Sequence, residues 1–351
     1  MLSVAYIAVV IISCFLAAWL GVGIFRNYAI KTGLLDHPNH RSSHTIPTPR
    51  GGGIIFWLLW LFVLVIGGYF QLWPMHIVWI FLPGALLIGL VGYLDDHFNL
   101  RRRWRLLAQF IAATIAMLTL GVLSHINLGI IILHLGWGEI LLAIFAVIWS
   151  INLFNFMDGM DGMASLEALF IFGIGGLLLW LAQGKDLAIL SWVVAASVAG
   201  FFMWNMPRAK IFMGDAGSTF LGFLVPVFAL AGEKLYGVPA LSWLILYSVF
   251  CFDASVTLVR RILAGHQWYK PHRLHAFQRL HISGWTHADV LRGLFVLNLF
   301  ISTGVILAYI QPRLLIVWLG ISVITLVIVY YLIERMQPMF SSLKGTDQDS
   351  A

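Results

Sequence analysis

The sequence predicts an all-α, polytopic integral membrane protein, and three observations carry that prediction. Of its 351 residues 61% are hydrophobic and only 10% charged, whereas a soluble domain has roughly 25% charged and 45–50% apolar residues. The mean hydropathy is +0.92. Apolar runs near the ~20 residues that span a hydrocarbon core recur along the whole chain. A water-soluble globule, a disordered chain and a nucleic-acid-binding module are excluded, although 21 basic against 15 acidic residues leave a formal charge of +6. The two cysteines, Cys14 and Cys251, lie inside apolar runs and offer neither a disulfide framework nor a metal-ligand spacing.

Taken in order, the expected spans are 4–25, 54–70, 77–94, 106–123, 139–154, 166–181, 188–204, 219–231, 238–259, 290–310 and 314–333, about eleven transmembrane helices. The run at 219 is short, and the one at 139 has an ambiguous start. The stretch 126–135, β-branched and bounded by glycines, reads as a short periplasmic β-hairpin rather than a span. No Lys or Arg precedes Arg26, so the first run lacks the charged region of a cleavable signal and is expected to stay as a helix with its N-terminus outside. Eleven crossings then put the C-terminus inside. Under the positive-inside rule this register assigns 18 basic residues to inner loops and leaves only Lys185, Lys234 and Arg313 outside. Residues 1–340 are expected to form one transmembrane catalytic domain, followed by a polar tail over 341–351.

The acidic residues are few, and most of them can be located one by one. Glu139, Asp186 and Glu233 fall outside, Glu334 ends the last helix, and Asp347 and Asp349 lie in the tail. Asp95, Asp96, Asp158, Asp161, Asp215 and Asp253 gather at inner helix ends, with Asp36 and Asp289 in or beside inner loops. Carboxylates at a membrane face are costly unless hydrated, paired or metal-bound, so this cluster marks a functional site.

Tyr93-Leu94-Asp95-Asp96-His97 closes the third span. Neighbouring helical residues point ~100° apart, so one carboxylate can face a metal while the other orients a ligand or takes a proton. The plainer alternative, two acids ending a helix in water near Arg101–Arg105, conflicts with the negative end of the helix dipole. In NLFNFMDGMDG (152–162), Asn155 and Asp158 share a helix face whereas Asn152 and Asp161 do not, and the glycines stop the helix and admit a ligand close to the backbone. In NMPRAKIFMGDAGS (205–218), Asp215 sits in a glycine-flanked turn ahead of an apolar run. Backbone N–H groups there favour anions, and a carboxylate there can hold a cation that bridges phosphates. Phe212 offers a face to a base, although a core-facing phenylalanine is the commoner outcome. Between 266 and 287, His266, His272, His275, His281 and His287 accompany Lys270, Arg273 and Arg279. No nearby Cys completes a zinc set; a cationic pocket for phosphate oxygens fits better than zinc, and a solvated basic loop is the bland alternative. The loop DHPNHRSSHTIPTPRGGG (36–53) reads either as part of the site or as a connector with a topogenic charge.

Acidic groups for a hard divalent ion, basic groups for phosphates, and amides with an aromatic thus share one end of a helix bundle. That combination fits phosphoryl transfer between a water-soluble nucleotide and a lipid acceptor. The rival is a secondary transporter of an anionic solute, whose site should lie near the bilayer midplane between inverted repeats; the sequence has its polar residues at span ends and no such repeat.

The ordered set Asp95-Asp96, NFMDGMDG (155–162), FMGDAGS (212–218) and the late histidines resembles the polyprenyl-phosphate N-acetylhexosamine-1-phosphate transferase superfamily, glycosyltransferase family 4, from about residue 34 to 280. The loop HPNHRSSHTIPTPRGGG resembles the branch that initiates bacterial O-antigen and related surface polysaccharides. The resemblance implies transfer of N-acetylhexosamine-1-phosphate from a UDP-sugar to undecaprenyl phosphate, giving undecaprenyl-diphospho-sugar and UMP. It implies Mg²⁺ as cofactor, with Mn²⁺ as a substitute, and a multi-pass protein of the inner (plasma) membrane with its active site facing the cytoplasm. Its partners would be undecaprenyl phosphate, a UDP-N-acetylhexosamine and the bilayer, with no nucleic acid; a homodimer is the assembly considered. Carried over by position, Asp215 and Asp158 would be metal ligands. Asp95 would deprotonate or position the lipid phosphate with Asp96 as its partner, which completes a catalytic set of Asp95, Asp96, Asp158 and Asp215. Asn155 would organise the metal-diphosphate region, and Asp161, Asn205 and Phe212 would contact the nucleotide. His272, Arg273 and His275 would hold diphosphate or sugar, and Asn152, Lys210, Arg41 and Arg105 complete the substrate-binding set. The chain departs from the family pattern in carrying Arg273 and Leu274 within the histidine run, and Arg101–Arg105 where a lysine follows the paired aspartates.

Overall fold

Where lipid surrounds a chain, every backbone N–H and C=O must find a partner within the protein, which leaves helices for a sequence of this pattern. The computed structural model describes residues 4–38, 46–121, 126–129, 131–133, 136, 138–267 and 272–340. Among these, α1 (Val4–Thr32) leads through the short pair β1 (Leu35–Asp36) and β2 (Thr48–Pro49) into α2 (Gly53–Tyr69), α3 (Met75–Phe98) and α4 (Arg102–Leu120). A second short pair, β3 (Ile126–Asn127) and β4 (Ile132–Leu133), precedes α5 (Gly138–Met157), α6 (Met163–Leu181), α7 (Lys185–Asn205) and α8 (Asp215–Tyr236). The chain ends in α9 (Ala240–Leu246), α10 (Ser248–Leu263), α11 (Ala276–Ile282), α12 (His287–Ile310) and α13 (Leu314–Met336).

The protein is an all-α polytopic membrane protein. Each run expected to span lies largely or wholly in helix. Among the described residues eight helices are long and apolar enough to cross a membrane, and α9 with α10, bent by 72° at their junction, makes a ninth. Of the about eleven expected, α2 is shorter, with 17 residues, and α4 opens on Arg102, Arg103 and Arg105, which dilute its hydropathy. The expected hairpin forms, with Ile126 opposite Leu133 and Asn127 opposite Ile132. The β1–β2 pair, with Leu35 opposite Pro49 and Asp36 opposite Thr48, had no counterpart in the sequence reading. The tail 341–351 lies outside the described residues.

At the centre stands α8, packed against α2, α3, α5, α6, α7 and α9. Its Phe228 meets Phe81 at 4.7 Å and Trp243 at 5.8 Å between ring centroids, and the Trp60 indole beside it donates to Leu190 O at 3.0 Å. Buried aromatics of this kind add edge and stacking contacts to their area. The charged groups divide between the two ends of the bundle. At one end Tyr236 donates to Asp186 at 2.6 Å, Lys234 to Leu120 O at 2.6 Å, and Ala240 N–H to Glu233 at 2.9 Å. The other end gathers the termini of α3, α5 and α7 and the starts of α2, α4, α6 and α8. Glu167 of α6, which no sequence motif marks, is fully buried and accepts from Asn298 of α12 at 2.7 Å.

Candidate active site

Two helix ends create the centre of the site. α3 stops because Asn99 takes a left-handed conformation, φ 48°, and its N–H returns to Asp95 O at 3.0 Å. α8 starts after Gly214, φ 78°, where a Cβ would lie 2.7 Å from Asp96 Oδ2 and 2.9 Å from Gly51 Cα. Only glycine fits that crossing. The angular step between helical neighbours parts the aspartate pair. Asp96, 4% exposed, accepts from the N–H groups of Asp215 at 3.1 Å and Ala216 at 3.2 Å, and so places a carboxylate on the positive end of α8. Asp95 turns the other way and accepts from Leu100 N–H at 2.6 Å and from Arg105 Nη1 at 2.5 Å. Arg105 Nη1 is also 3.6 Å from Asp215 Oδ2, and the Asp95 and Asp215 carboxyl groups are within hydrogen-bonding reach of each other. Asn155, from the end of α5, donates to Asp215 Oδ1 at 2.8 Å and to Ser218 Oγ at 3.0 Å. Asp158 lies just past α5; burial and then Asp215, Asp96 and Asp161 push its carboxyl well above the usual range.

The loop 49–53 clamps this junction from below. Phe212 N–H donates to Pro49 O at 2.8 Å, Gly52 N–H to Phe212 O at 2.9 Å and Gly53 N–H to Met213 O at 2.8 Å. Arg50 donates to Asp96 O. Gly53 is so close to Gly217 that a Cβ would fall 2.4 Å from its Cα.

Asp95, Arg105, Asn155, Asp215, His272 and His275 line a cavity of about 530 Å³. Apolar side chains, among them Ile88, Leu106, Phe145, Ile148, Trp149 and Leu258, line it as well. Several of these sit on helices whose remaining faces are exposed, among them Leu107 and Phe110 of α4 and Leu141 of α5. Among the described residues no group of three or more His, Cys, Asp or Glu gathers closely enough to hold a metal by itself. Two carboxylates sharing one arginine nevertheless suit a hard cation that takes its remaining ligands from phosphate and water.

A family model described as glycosyl transferase family 4 matches residues 78–233, the segment that carries both aspartate-bearing helix ends. The chain is 28% identical over 313 residues to a probable undecaprenyl-phosphate N-acetylglucosaminyl 1-phosphate transferase of Bacillus subtilis, covering 88% of this chain and 85% of that one. It is 31% identical over 286 residues to the undecaprenyl-phosphate alpha-N-acetylglucosaminyl 1-phosphate transferase of Escherichia coli K12, covering 79% and 77%. The chain belongs to this transferase family. A decaprenyl-phosphate N-acetylglucosaminephosphotransferase of Mycobacterium tuberculosis is 26% identical over 341 residues, covering 86% and 80%.

In this family 4 transferase the other sequence-derived candidates divide into those at the cavity and those behind it. Asn152 lines the cavity in an amide pair with Gln109, its Nδ2 donating to Gln109 Oε1 at 2.7 Å. Asp161, 8% exposed, accepts from Ala209 N–H at 3.1 Å and lies 3.0 Å from His287 Nδ1. Asn205 is a staple: its oxygen accepts from Gly162 N–H at 3.0 Å and Ser165 at 3.1 Å, and its nitrogen donates to Ile211 O at 3.0 Å. Phe212 is half-buried in the clamp, and exposed Lys210 lies 5.5 Å from the Trp204 ring. His272 and His275 stand 4.8 Å apart between ring centroids at the cavity edge. Burial, then His275 and Arg261, push the His272 imidazole down to about 3, so it is neutral at pH 7. Arg273 is half-buried beside them but does not line the cavity. Arg41 lies outside the described residues.

Asp253 holds this histidine segment in place, accepting from Ala276 N–H at 2.9 Å and from Thr257 at 3.0 Å, with His275 Nδ1 at 3.6 Å. Gln109, Arg261 and Gln278 also line the cavity, and none was singled out from the sequence. Gln109 had a signal, an amide inside an apolar run. Gln278 had none, because its place depends on how the segment 272–282 folds back under α5.

Proposed function

We propose that this transferase moves N-acetylhexosamine-1-phosphate from a UDP-sugar to undecaprenyl phosphate, releasing UMP, and so initiates a lipid-linked O-antigen or related surface polysaccharide. It would work in the inner membrane with the site open to the cytoplasm. One observation carries the proposal: a single cavity is lined both by a pair of carboxylates that share an arginine and by a set of apolar side chains. An amphiphile with a phosphate head and a hydrocarbon tail matches both kinds of lining. The relatives' names, which give undecaprenyl or decaprenyl phosphate as the lipid, support the same acceptor.

In this mechanism an oxygen of the lipid phosphate attacks the β-phosphorus of the sugar nucleotide. A new P–O–P bond forms, and the bond to the bridging oxygen breaks with its electron pair leaving on UMP. The lipid phosphate is already largely ionised near neutral pH, since a phosphate monoester has its second pKa near ~6, so no strong base is required. Asp95, tied to Arg105, orients the incoming phosphate; the Arg105 guanidinium offsets the charge of both carboxylates and offers its remaining donors to phosphate oxygens. Asn155 fixes the rotamer of Asp215, and the Asp96 cap and the 49–53 clamp fix the backbone beneath it. Asp215, with Asp95 or Asp158, would hold Mg²⁺, whose contribution when bound is to neutralise charge on the diphosphate.

Purified protein in nanodiscs with undecaprenyl phosphate, Mg²⁺ and a panel of UDP-sugars tests the proposal. UMP release with one or more UDP-N-acetylhexosamines, and none with UDP-glucose, is the expected result. Release of UDP, or no dependence on the lipid, would overturn it.

A further inference from the structure

Two guanidinium groups that do not line the cavity meet on one carboxylate. Glu334, in the last turn of α13, accepts from Arg260 Nη1 at 2.6 Å and Nη2 at 3.0 Å, and from Arg279 Nη1 at 2.6 Å. Met339 N–H, just beyond the helix, donates to it as well at 3.1 Å. Arg279 is 1% exposed; it also donates to Gln337 O at 3.1 Å, and its Cζ lies 4.7 Å from the centre of the Tyr330 ring. Among the described residues its Nε and Nη2 have no hydrogen-bond partner, so Glu334 is the carboxylate that compensates this buried charge. A buried guanidinium stripped of its carboxylate is strongly unfavourable, and the segment that carries it has to move.

Each of these arginines is the chain neighbour of a residue that does line the cavity. Arg260 precedes Arg261 in the last turn of α10, and Arg279 follows Gln278 in α11. Helical neighbours point ~100° apart, so one of each pair binds Glu334 while the other faces the cavity. The stretch from 261 to 278 gives the cavity only polar groups, Arg261, His272, His275 and Gln278, whereas α3, α4 and α5 carry most of the apolar lining. Donors of this kind suit diphosphate oxygens and sugar hydroxyls rather than a hydrocarbon tail. Glu334 itself lies outside residues 78–233, the part of the chain that the family model matches.

We propose that Glu334 is a positioning residue for the sugar-nucleotide donor: by holding Arg260 and Arg279 on α13 it keeps the end of α10 and α11 in the register that turns Arg261 and Gln278 to the cavity. The proposal rests on the transferase function proposed above, and its test has one arm that does not. Glu334→Ala removes the shared acceptor, whereas Glu334→Gln keeps the shape and one acceptor oxygen but loses the charge. In nanodiscs, E334A should raise hydrogen–deuterium exchange across 276–283 about tenfold, as a local opening of that segment. It should also raise KM for the UDP-sugar at least about tenfold, while kcat and KM for undecaprenyl phosphate change less than about threefold. E334Q should fall between E334A and wild type on both readouts, and it alone carries the test if E334A yields no folded protein. Exchange and donor KM unchanged in E334Q and E334A, or a loss confined to kcat or to KM for undecaprenyl phosphate, would overturn the proposal. So would exchange raised evenly over all the helices, which marks general destabilisation. Absence of turnover in the unsubstituted protein would instead strike the functional assignment, and the exchange arm would still decide whether Glu334 holds α11.

Discussion

Asp96→Asn separates holding α8 from moving a proton. Both Asp96 oxygens accept backbone N–H groups, from Asp215 at 3.1 Å and Ala216 at 3.2 Å. An asparagine keeps one acceptor and turns an NH₂ toward the other donor, so one charge-assisted bond is lost. Such bonds contribute about 1.5–3 kcal/mol, and the charge on the helix end adds about 0.3–1 kcal/mol. About 2–4 kcal/mol of restraint on the Asp215 backbone would therefore be removed, which if felt wholly in the transition state is a loss of kcat/KM between about 30-fold and several hundred-fold. UMP release measured across pH 6–9 is the assay. A positioning role predicts the same loss at every pH, with the shape of the profile unchanged and Asp96→Ala more impaired than Asp96→Asn. Near-normal turnover in Asp96→Asn, or a displaced alkaline limb, would refute the capping role.

Further outcomes follow from the same geometry. Arg105→Ala leaves the Asp95 and Asp215 carboxyls without their shared cation; because Arg105 is about one-third exposed, the cost is about 1–2 kcal/mol. It should raise KM for undecaprenyl phosphate about 5- to 30-fold while lowering the Mg²⁺ concentration at half-maximal rate, with Arg105→Lys intermediate; a higher Mg²⁺ requirement would contradict the arrangement. Gly53→Ala places a methyl 2.4 Å from Gly217 Cα and should cost about 1–3 kcal/mol, read as a lower Tm and reduced turnover; an unchanged Tm would show that the clamp yields. His272 is neutral in the folded protein, with its imidazole pushed down to about 3, whereas in the unfolded chain it takes a proton near pH 6.5. Stability should therefore be full above that pH and decline as pH falls below it, by about 1 kcal/mol at pH 5 after allowance for partial exposure. Thermal melts in nanodiscs should show this decline, and a His272→Gln protein with the same decline would assign it elsewhere.

The spans and the carboxylates gathered at one end of the bundle were legible because their signals are local. Apolar runs of membrane length carry the helices, and Asp95 near the end of α3, Asp158 just past α5 and Asp215 at the start of α8 sit at the ends of such runs. The ~100° step between neighbours even implied that Asp95 and Asp96 would part. What escaped was whatever depends on chain segments far apart in sequence. The clamp of 49–53 on 212–213 consists of backbone bonds, which leave no trace in side-chain chemistry. Asn205 looks like a ligand-binding amide in sequence, yet its oxygen and one N–H are taken up in joining Gly162, Ser165 and Ile211. Glu167 hid inside a run whose hydropathy carried it unnoticed. The 72° break between α9 and α10 has no proline at the junction to announce it, only Tyr247.

The central claim is that the Asp95–Arg105–Asp215 centre joins a lipid phosphate to a sugar phosphate in one cavity. Mass spectrometry of products from nanodiscs containing undecaprenyl phosphate and a reactive UDP-N-acetylhexosamine tests it most directly, with wild type and Asp215→Ala side by side and folding verified for each. The account predicts undecaprenyl-diphospho-N-acetylhexosamine and UMP in equal amounts from wild type and neither from Asp215→Ala. Equal product from both proteins, or lipid product without UMP, would contradict it.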